Sequence, residues 1–203
     1  MQSIPERLSP EELIVFAGKY IFERGLTDTA GGNISIKVDG NIYMTPTMVG
    51  VNYHWLFDED DVVIGSASDL EGLKKHPRIS REGFSHLSIY ASFPYIDAVV
   101  HAHPRYVAAY VAQCKPIPPI MRASEALGVL EYHEPAEAYS QDQADKIVKV
   151  LKKNEATMKK KAGVVLMPKH GVIIASQGLM IGLDVLERVN TNAFANLAQK
   201  LID

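Results

Sequence analysis

His101 and His103 are separated by one residue inside Asp97-Ala98-Val99-Val100-His101-Ala102-His103, an apolar run of the kind that forms a buried strand. Along a strand the side chains alternate between faces, so both imidazoles project to one side and Val100 and Ala102 to the other. Two nitrogens held side by side on a rigid strand suit a metal ion. The same spacing also suits a pair of hydrogen-bonded strand histidines. His170 tips this balance: it lies in Pro168-Lys169-His170-Gly171, a turn between two apolar segments, where packing needs no imidazole. Three histidines from two segments would give a divalent ion a tetrahedral shell with one position open, the catalytic arrangement. A turn histidine facing water is the alternative for His170.

Glu82 stands in Ser80-Arg81-Glu82 at the start of an expected helix. There a carboxylate either matches the helix dipole at the surface or, beside a metal, serves as a general base. Gly31-Gly32-Asn33, Thr45-Pro46-Thr47 and Ser80-Arg81 offer amides, hydroxyls and a guanidinium that together could cradle a phosphate. Taken singly, each is an ordinary turn or cap.

The elements that must position these residues can be read from periodicity and capping. Ser9-Pro10-Glu11-Glu12 is a capping box leading into Leu13, Phe16, Ala17, Tyr20 and Ile21 at helical spacing, with Gly25 to stop the helix. Residues 34–38 and 42–44 flank Asp39-Gly40-Asn41 and predict a tight hairpin. Residues 45–79 read as loop with a short strand around Val62, Val63 and Ile64. A helix is expected from about Arg81 to Ala91 with Ser80 as its cap, and another from Tyr106 to Val111 after Pro104. Ser140 opens a further helix that ends near Asn154. Strands at 164–167 and 172–175 and a final helix from Leu179 to Leu201 complete the chain. Helices and strands interleave while several strands are joined by short turns, which predicts a mixed or largely antiparallel sheet covered by helices. No repeat or linker divides the chain, so residues 1–203 read as a single domain.

The 203 residues carry 21 Lys+Arg against 24 Asp+Glu, and the longest basic run is Lys159-Lys160-Lys161, so a nucleic-acid partner is not expected. The N-terminal segment Met1 to Arg7 has no basic stretch followed by an apolar one, and no apolar run approaches the roughly 18–20 residues of a membrane span. One cysteine, Cys114, read as a buried or half-buried helix thiol, favours a reducing compartment. A soluble, cytoplasmic protein is the expectation.

Taken in order, Gly32-Asn33-Ile34-Ser35, Ile42-Tyr43-Met44-Thr45-Pro46-Thr47, Ser80-Arg81-Glu82 with His86-Leu87-Ser88-Ile89-Tyr90, Ala98-Val99-Val100-His101-Ala102-His103-Pro104, His170-Gly171-Val172 and Asp184-Val185-Leu186-Glu187 resemble the class II aldolase/adducin family. The resemblance implies a three-layer α/β/α sandwich and a homotetramer with active sites between subunits. It also implies one zinc ion per chain, held by the matching His101, His103 and His170. Glu82 matches the family's catalytic carboxylate, and Asn33, Thr45, Thr47 and Ser80 match positions that hold a substrate phosphate. The implied activity is that of a lyase: cleavage of a carbon–carbon bond in a phosphorylated sugar or short hydroxy-keto compound, through a metal-stabilised enediolate. The same zinc site could instead dehydrate, decarboxylate or epimerise a sugar phosphate, and a non-catalytic adducin-like interaction module is the reading from a different class.

Three positions depart from the family's pattern. Met48 replaces a glycine, which removes an easy close backbone approach. Arg81 replaces a serine and adds a charge that could grip a phosphate or a carboxylate. Arg122 stands near where the aldolases place a proton-donating tyrosine. Glu125 lies where family dehydratases place an acid–base carboxylate, or else is an exposed helix residue.

Overall fold

The first helix, α1 (Pro10–Glu23), forms where its capping box begins: Ser9 Oγ accepts from Glu12 N–H while Glu12 accepts from Ser9 N–H. It ends where Gly25 turns left-handed at φ +64°. In this computed structural model, residues 3–4 and 6–202 are described; Met1, Gln2 and Pro5, on which the reading of the N-terminal segment partly rests, lie outside them, as does Asp203. The hairpin of β1 (Asn33–Val38) and β2 (Asn41–Met44) follows, its turn made by Asp39 and Gly40 at φ +48° and +78°.

The expected loop after it holds more structure than its sequence announces. Two five-residue helices, α2 (Val49–Tyr53) and α3 (Leu70–Lys74), and a 3-10 turn at Glu59–Asp61 surround β3 (Val63–Ser66). Elements this short carry no readable period. Then come α4 (Gly83–Ser92), β4 (Ala98–Ala102), α5 (Arg105–Val111), a 3-10 turn at Arg122–Leu127, α6 (Gln141–Lys153) and α7 (Glu155–Lys160). The chain closes with β5 (Gly163–Leu166), β6 (Val172–Ser176) and α8 (Leu179–Ala198), which runs into a 3-10 turn.

Two local expectations are corrected. α4 starts after Glu82, which occupies the cap position itself, and the Ser80 side chain does not cap the helix. Cys114 lies beyond the end of α5, half-buried in a left-handed turn at φ +50°.

The six strands form one sheet in the order β3-β2-β1-β4-β6-β5, and every pairing is antiparallel. The sheet is therefore not mixed; the parallel bridge Tyr132 to Leu166 lies outside the named strand pairs. Alternation along the strands feeds two cores. Ile34, Ile36, Ala98, Val100, Ala102, Val172 and Ile174 pack with α1, α5 and α8, whereas Met44, Val99, Val165, Ile173 and Ala175 pack with α4, α6 and α7. The result is a three-layer α/β/α sandwich. Among the described residues no helix is long and apolar enough to cross a membrane.

The register positions the site. Asn33 pairs with His101 across β1 and β4, and Ala102 pairs with Val172 across β4 and β6. The start of β1, the end of β4 and the start of β6 thus meet at one end of the sheet. Because the first core leans on α1, Ser9→Ala should cost about 1 kcal/mol, or a fall in Tm of about 2–4 °C for a domain of this size. Thermal unfolding that matches wild type would show that the capping box contributes nothing.

Candidate active site

His101 is fully buried, and its Nδ1 lies 3.1 Å from the Val172 carbonyl oxygen. A carbonyl only accepts, so Nδ1 carries the hydrogen and Nε2 presents a lone pair. His103 is fixed in the same sense, its Nδ1 3.1 Å from Asp28 Oδ1. The two Nε2 atoms then face one another at 3.2 Å, and Glu82 Oε2 stands 2.9 Å from His101 Nε2. His170 closes the group: the three ring centres are 4.8–5.0 Å apart, and Nδ1 of His170 is 3.4 Å from Glu82 Oε1. Ligand-capable atoms of the three histidines lie within 4.8 Å of one another. A single proton on His101 Nε2 could satisfy one of its acceptor neighbours; a multivalent cation satisfies all of them. The residues present fit a metal ion.

Burial depresses His170 to about 4, with the neighbouring His101 adding to the effect, and it lowers His103 in the same way. Both rings are neutral near pH 7, as ligands must be. Two glycines let the backbone come this close. A Cβ on Gly171 would sit 2.4 Å from the Ala102 carbonyl oxygen and 2.7 Å from His103 Cδ2, and one on Gly31 would sit 2.5 Å from His103 Cε1.

Glu82 is 3% exposed, which excludes the surface dipole-matching role. Burial pushes its carboxyl up, but positive charge held among His101, His170 and the carboxylate, whether a proton or a cation, together with the bond from Asn33 outweighs burial, so it is held below the usual carboxylate range. Asn33 Nδ2 donates to Glu82 Oε2 at 2.8 Å, whereas Glu82 Oε1 receives no hydrogen bond and has only His170 Nδ1 near it, at 3.4 Å. The result is a buried carboxylate that is ionised, oriented and without a hydrogen bond on one oxygen.

Thr29 to Asn33, Thr47 to Val51 and Ser80 to Glu82 line a cleft that His101, Tyr139 and His170 complete. Thr45 is the correction among the expected anion ligands. It is fully buried, its Oγ1 accepts from Ile34 N–H, and it is absent from the cleft wall, where Thr47 stands instead. Met48 keeps the left-handed turn at φ +60° without a glycine. The Gly31 amide is already taken by Asp28 Oδ1 at 3.3 Å. Arg81 is exposed on the wall, its guanidinium 4.5 Å from the Tyr139 ring centre. Glu125 is exposed on the 3-10 turn at Arg122–Leu127 and does not line the cleft, and Arg122 is exposed on the same turn.

Residues 12–193 match the family described as Class II Aldolase and Adducin N-terminal domain. The chain belongs to this family. It is 28% identical over 197 residues to 3-oxo-tetronate 4-phosphate decarboxylase of Haemophilus influenzae, across 92% of this chain and 86% of that protein. It is 29% identical over 170 residues to L-fuculose phosphate aldolase of the same organism, across 83% and 73% of the two chains. A solved L-fuculose 1-phosphate aldolase shares the fold with a TM-score of 0.75 at 22% identity, over all of this chain and 89% of that one.

Three residues of this class II aldolase-family site escaped sequence reasoning. Asp28 and Tyr139 sit in turns whose composition marks only a turn, although Tyr139 directly precedes the legible cap Ser140. His86, noted only within the family motif, is fully buried, its Nδ1 2.7 Å from Ser35 Oγ, which lies 2.8 Å from Tyr90 OH. Helical spacing places it one turn after Glu82, and that was the available signal.

Two predictions follow from this packing. Gly171→Ala should lower bound metal and cost about 1–3 kcal/mol, because the carbonyl it strikes is backbone and cannot rotate away; unchanged metal content and stability would refute the close approach. The second concerns acid. Burial holds His86 down at about 3, below its ordinary 6.5, so the unfolded chain takes up this proton first as pH falls. Its contribution to stability is complete above pH 6.5 and is lost toward pH 3, by at most about 1.4 kcal/mol per pH unit. Urea unfolding of wild type and His86→Gln between pH 7 and 5 should give a flatter slope for the variant, and parallel slopes would count against it.

Proposed function

We propose that this chain is a zinc-dependent lyase of the aldolase type, acting on a phosphorylated sugar or short hydroxy-keto compound. The observation that carries this reading is the convergence of His103 Nε2 and Glu82 Oε2 on His101 Nε2, at 3.2 and 2.9 Å, with His170 alongside. When bound there, zinc supplies the Lewis acid that takes the electron density left on oxygen when a carbon–carbon bond beside a carbonyl breaks. Glu82 is the proton carrier: its Oε1 receives no hydrogen bond, so it can take a hydroxyl proton from the substrate and return it to carbon. Asn33 holds the other oxygen and sets the carboxylate's direction. Thr47, Ser80 and the loop ending at Asn33 hold the substrate's phosphate, with Arg81 beside them.

A second reading, decarboxylation of a phosphorylated keto acid, is supported by the similarity to a decarboxylase over 92% of the chain and by Arg81 on the cleft wall. It needs the same electron sink, with Glu82 relaying a proton taken up from water to the carbon that loses carbon dioxide. Further parts of the proposal are a single domain, a cytoplasmic location and a homotetramer. Glu125, exposed and away from its own chain's cleft, would act only on the cleft of a neighbouring copy.

Elemental analysis of protein purified without added metal should find about one zinc per chain, lost in His103→Ala. Glu82→Gln should keep the zinc and lower kcat by about 10²–10⁴-fold on the substrate that is cleaved. Released aldehyde marks the first reading and released carbon dioxide the second. Glu125→Gln should leave aldol cleavage unchanged. Protein that stays metal-free when zinc is supplied would sink both readings and favour an interaction module.

A further inference from the structure

Asp28 is a half-exposed carboxylate in a turn, where an ion pair gains little from the solvent-screened charge alone. Its Oδ1 nevertheless makes three contacts. It lies 3.1 Å from His103 Nδ1 and accepts from the amides of Ala30 at 2.9 Å and Gly31 at 3.3 Å. The residue is itself held, since Trp55 Nε1 donates to its carbonyl oxygen at 2.9 Å. Thr27 adds a parallel tie: its Oγ1 donates to the Gly31 carbonyl and accepts from His103 N–H. Gly31 packs directly on the His103 ring, leaving no space for a side chain.

We propose that Asp28 is a positioning residue that joins the metal ligand His103 to the anion-holding loop 29–33, so that ion and substrate phosphate are set by one carboxylate oxygen. The inference rests on the metal and phosphate roles proposed above. Accepting the His103 Nδ1 hydrogen fixes the tautomer, turns Nε2 toward the other histidines and makes the ring a stronger ligand. Accepting from two successive amides curls the loop, which brings Gly32 and Asn33 to the cleft wall. The two effects use different properties of the side chain. The ligand effect needs the negative charge, whereas the loop needs only an acceptor oxygen.

That difference gives the test. Wild type, Asp28→Asn and Asp28→Ala are stripped of metal and titrated with Zn²⁺ in competition with a chromogenic chelator. Zinc affinity should fall about 10–100-fold in Asp28→Ala and by an intermediate amount in Asp28→Asn. At saturating zinc, inorganic phosphate followed by calorimetry should bind about three- to tenfold more weakly to Asp28→Ala and with unchanged affinity to Asp28→Asn, which keeps the loop bonds. A loop that was merely destabilised would not give this split between charge and acceptor. Zinc affinity in Asp28→Ala within about twofold of wild type would overturn the inference, as would phosphate affinity falling equally in both variants. Wild-type protein that binds no zinc would overturn the metal reading itself; wild-type zinc binding that is insensitive to Asp28 would overturn the inference alone.

Discussion

The antiparallel register across β1, β4 and β6 is the constraint on which the site depends. It sets Asn33 opposite His101 and Val172 opposite Ala102, so three chain segments far apart in sequence arrive at one sheet end in fixed phase. A slip of one residue in β4 would turn His101 toward α1 and α8 and put Val100 beside Glu82. What prevents the slip is burial on both faces: Ala98, Val100 and Ala102 fill one core, and Val99 fills the other. The apolar packing of an ordinary sandwich thus fixes the position of its polar end.

That polar end is a local conflict within a well-packed fold. His101 Nε2 meets a second imidazole nitrogen and a carboxylate oxygen, all of them acceptors once the Nδ1 hydrogens are committed to Val172 and Asp28. Buried groups of this kind are costly without a compensating charge. A cation bound there would relieve this cost, and the protein has already aligned the donors for it. Glu82 Oε1, which receives no hydrogen bond, is the oxygen that the proposed proton transfer needs.

How much of this was legible depends on the signal each residue carries. The helices α1, α6 and α8 are long enough to show their period, and the hairpin turn is written in Asp39-Gly40. His101 and His103 follow from alternation, and His170 from its place in a turn that has no packing need for it. Thr45 misled because two hydroxyls in one Thr-Pro-Thr motif look alike, while the fold gives one to the β1 backbone and the other to the cleft. The five-residue helices left no trace, because they are shorter than two periods of the pattern that would reveal them. Asp28 and Tyr139 were hidden for another reason: Asp in a turn and Tyr before a helix cap have sufficient local explanations. Their second partners, His103 and Arg81, are 75 and 58 residues away in sequence and meet them only in the fold.

The division of labour in the cleft also explains why one framework can serve relatives named for an aldolase and a decarboxylase. Both reactions leave electron density beside a carbonyl and need it held on oxygen, the demand that a metal held by the three histidines, with Glu82 beside it, would meet under the proposed function. The bond that breaks is then decided by what the walls hold in line with it. Those walls are where this chain departs from the family's pattern: Met48 carries a left-handed turn without glycine, and Arg81 stands over the Tyr139 ring, 4.5 Å from its centre, on the cleft wall. A guanidinium braced on an aromatic face is a planar donor for a carboxylate or phosphate, and bracing reduces the freedom lost on binding. Under the proposed function, the chemistry falls to the end of β4 and selectivity to the Arg81 and Met48 side of the cleft.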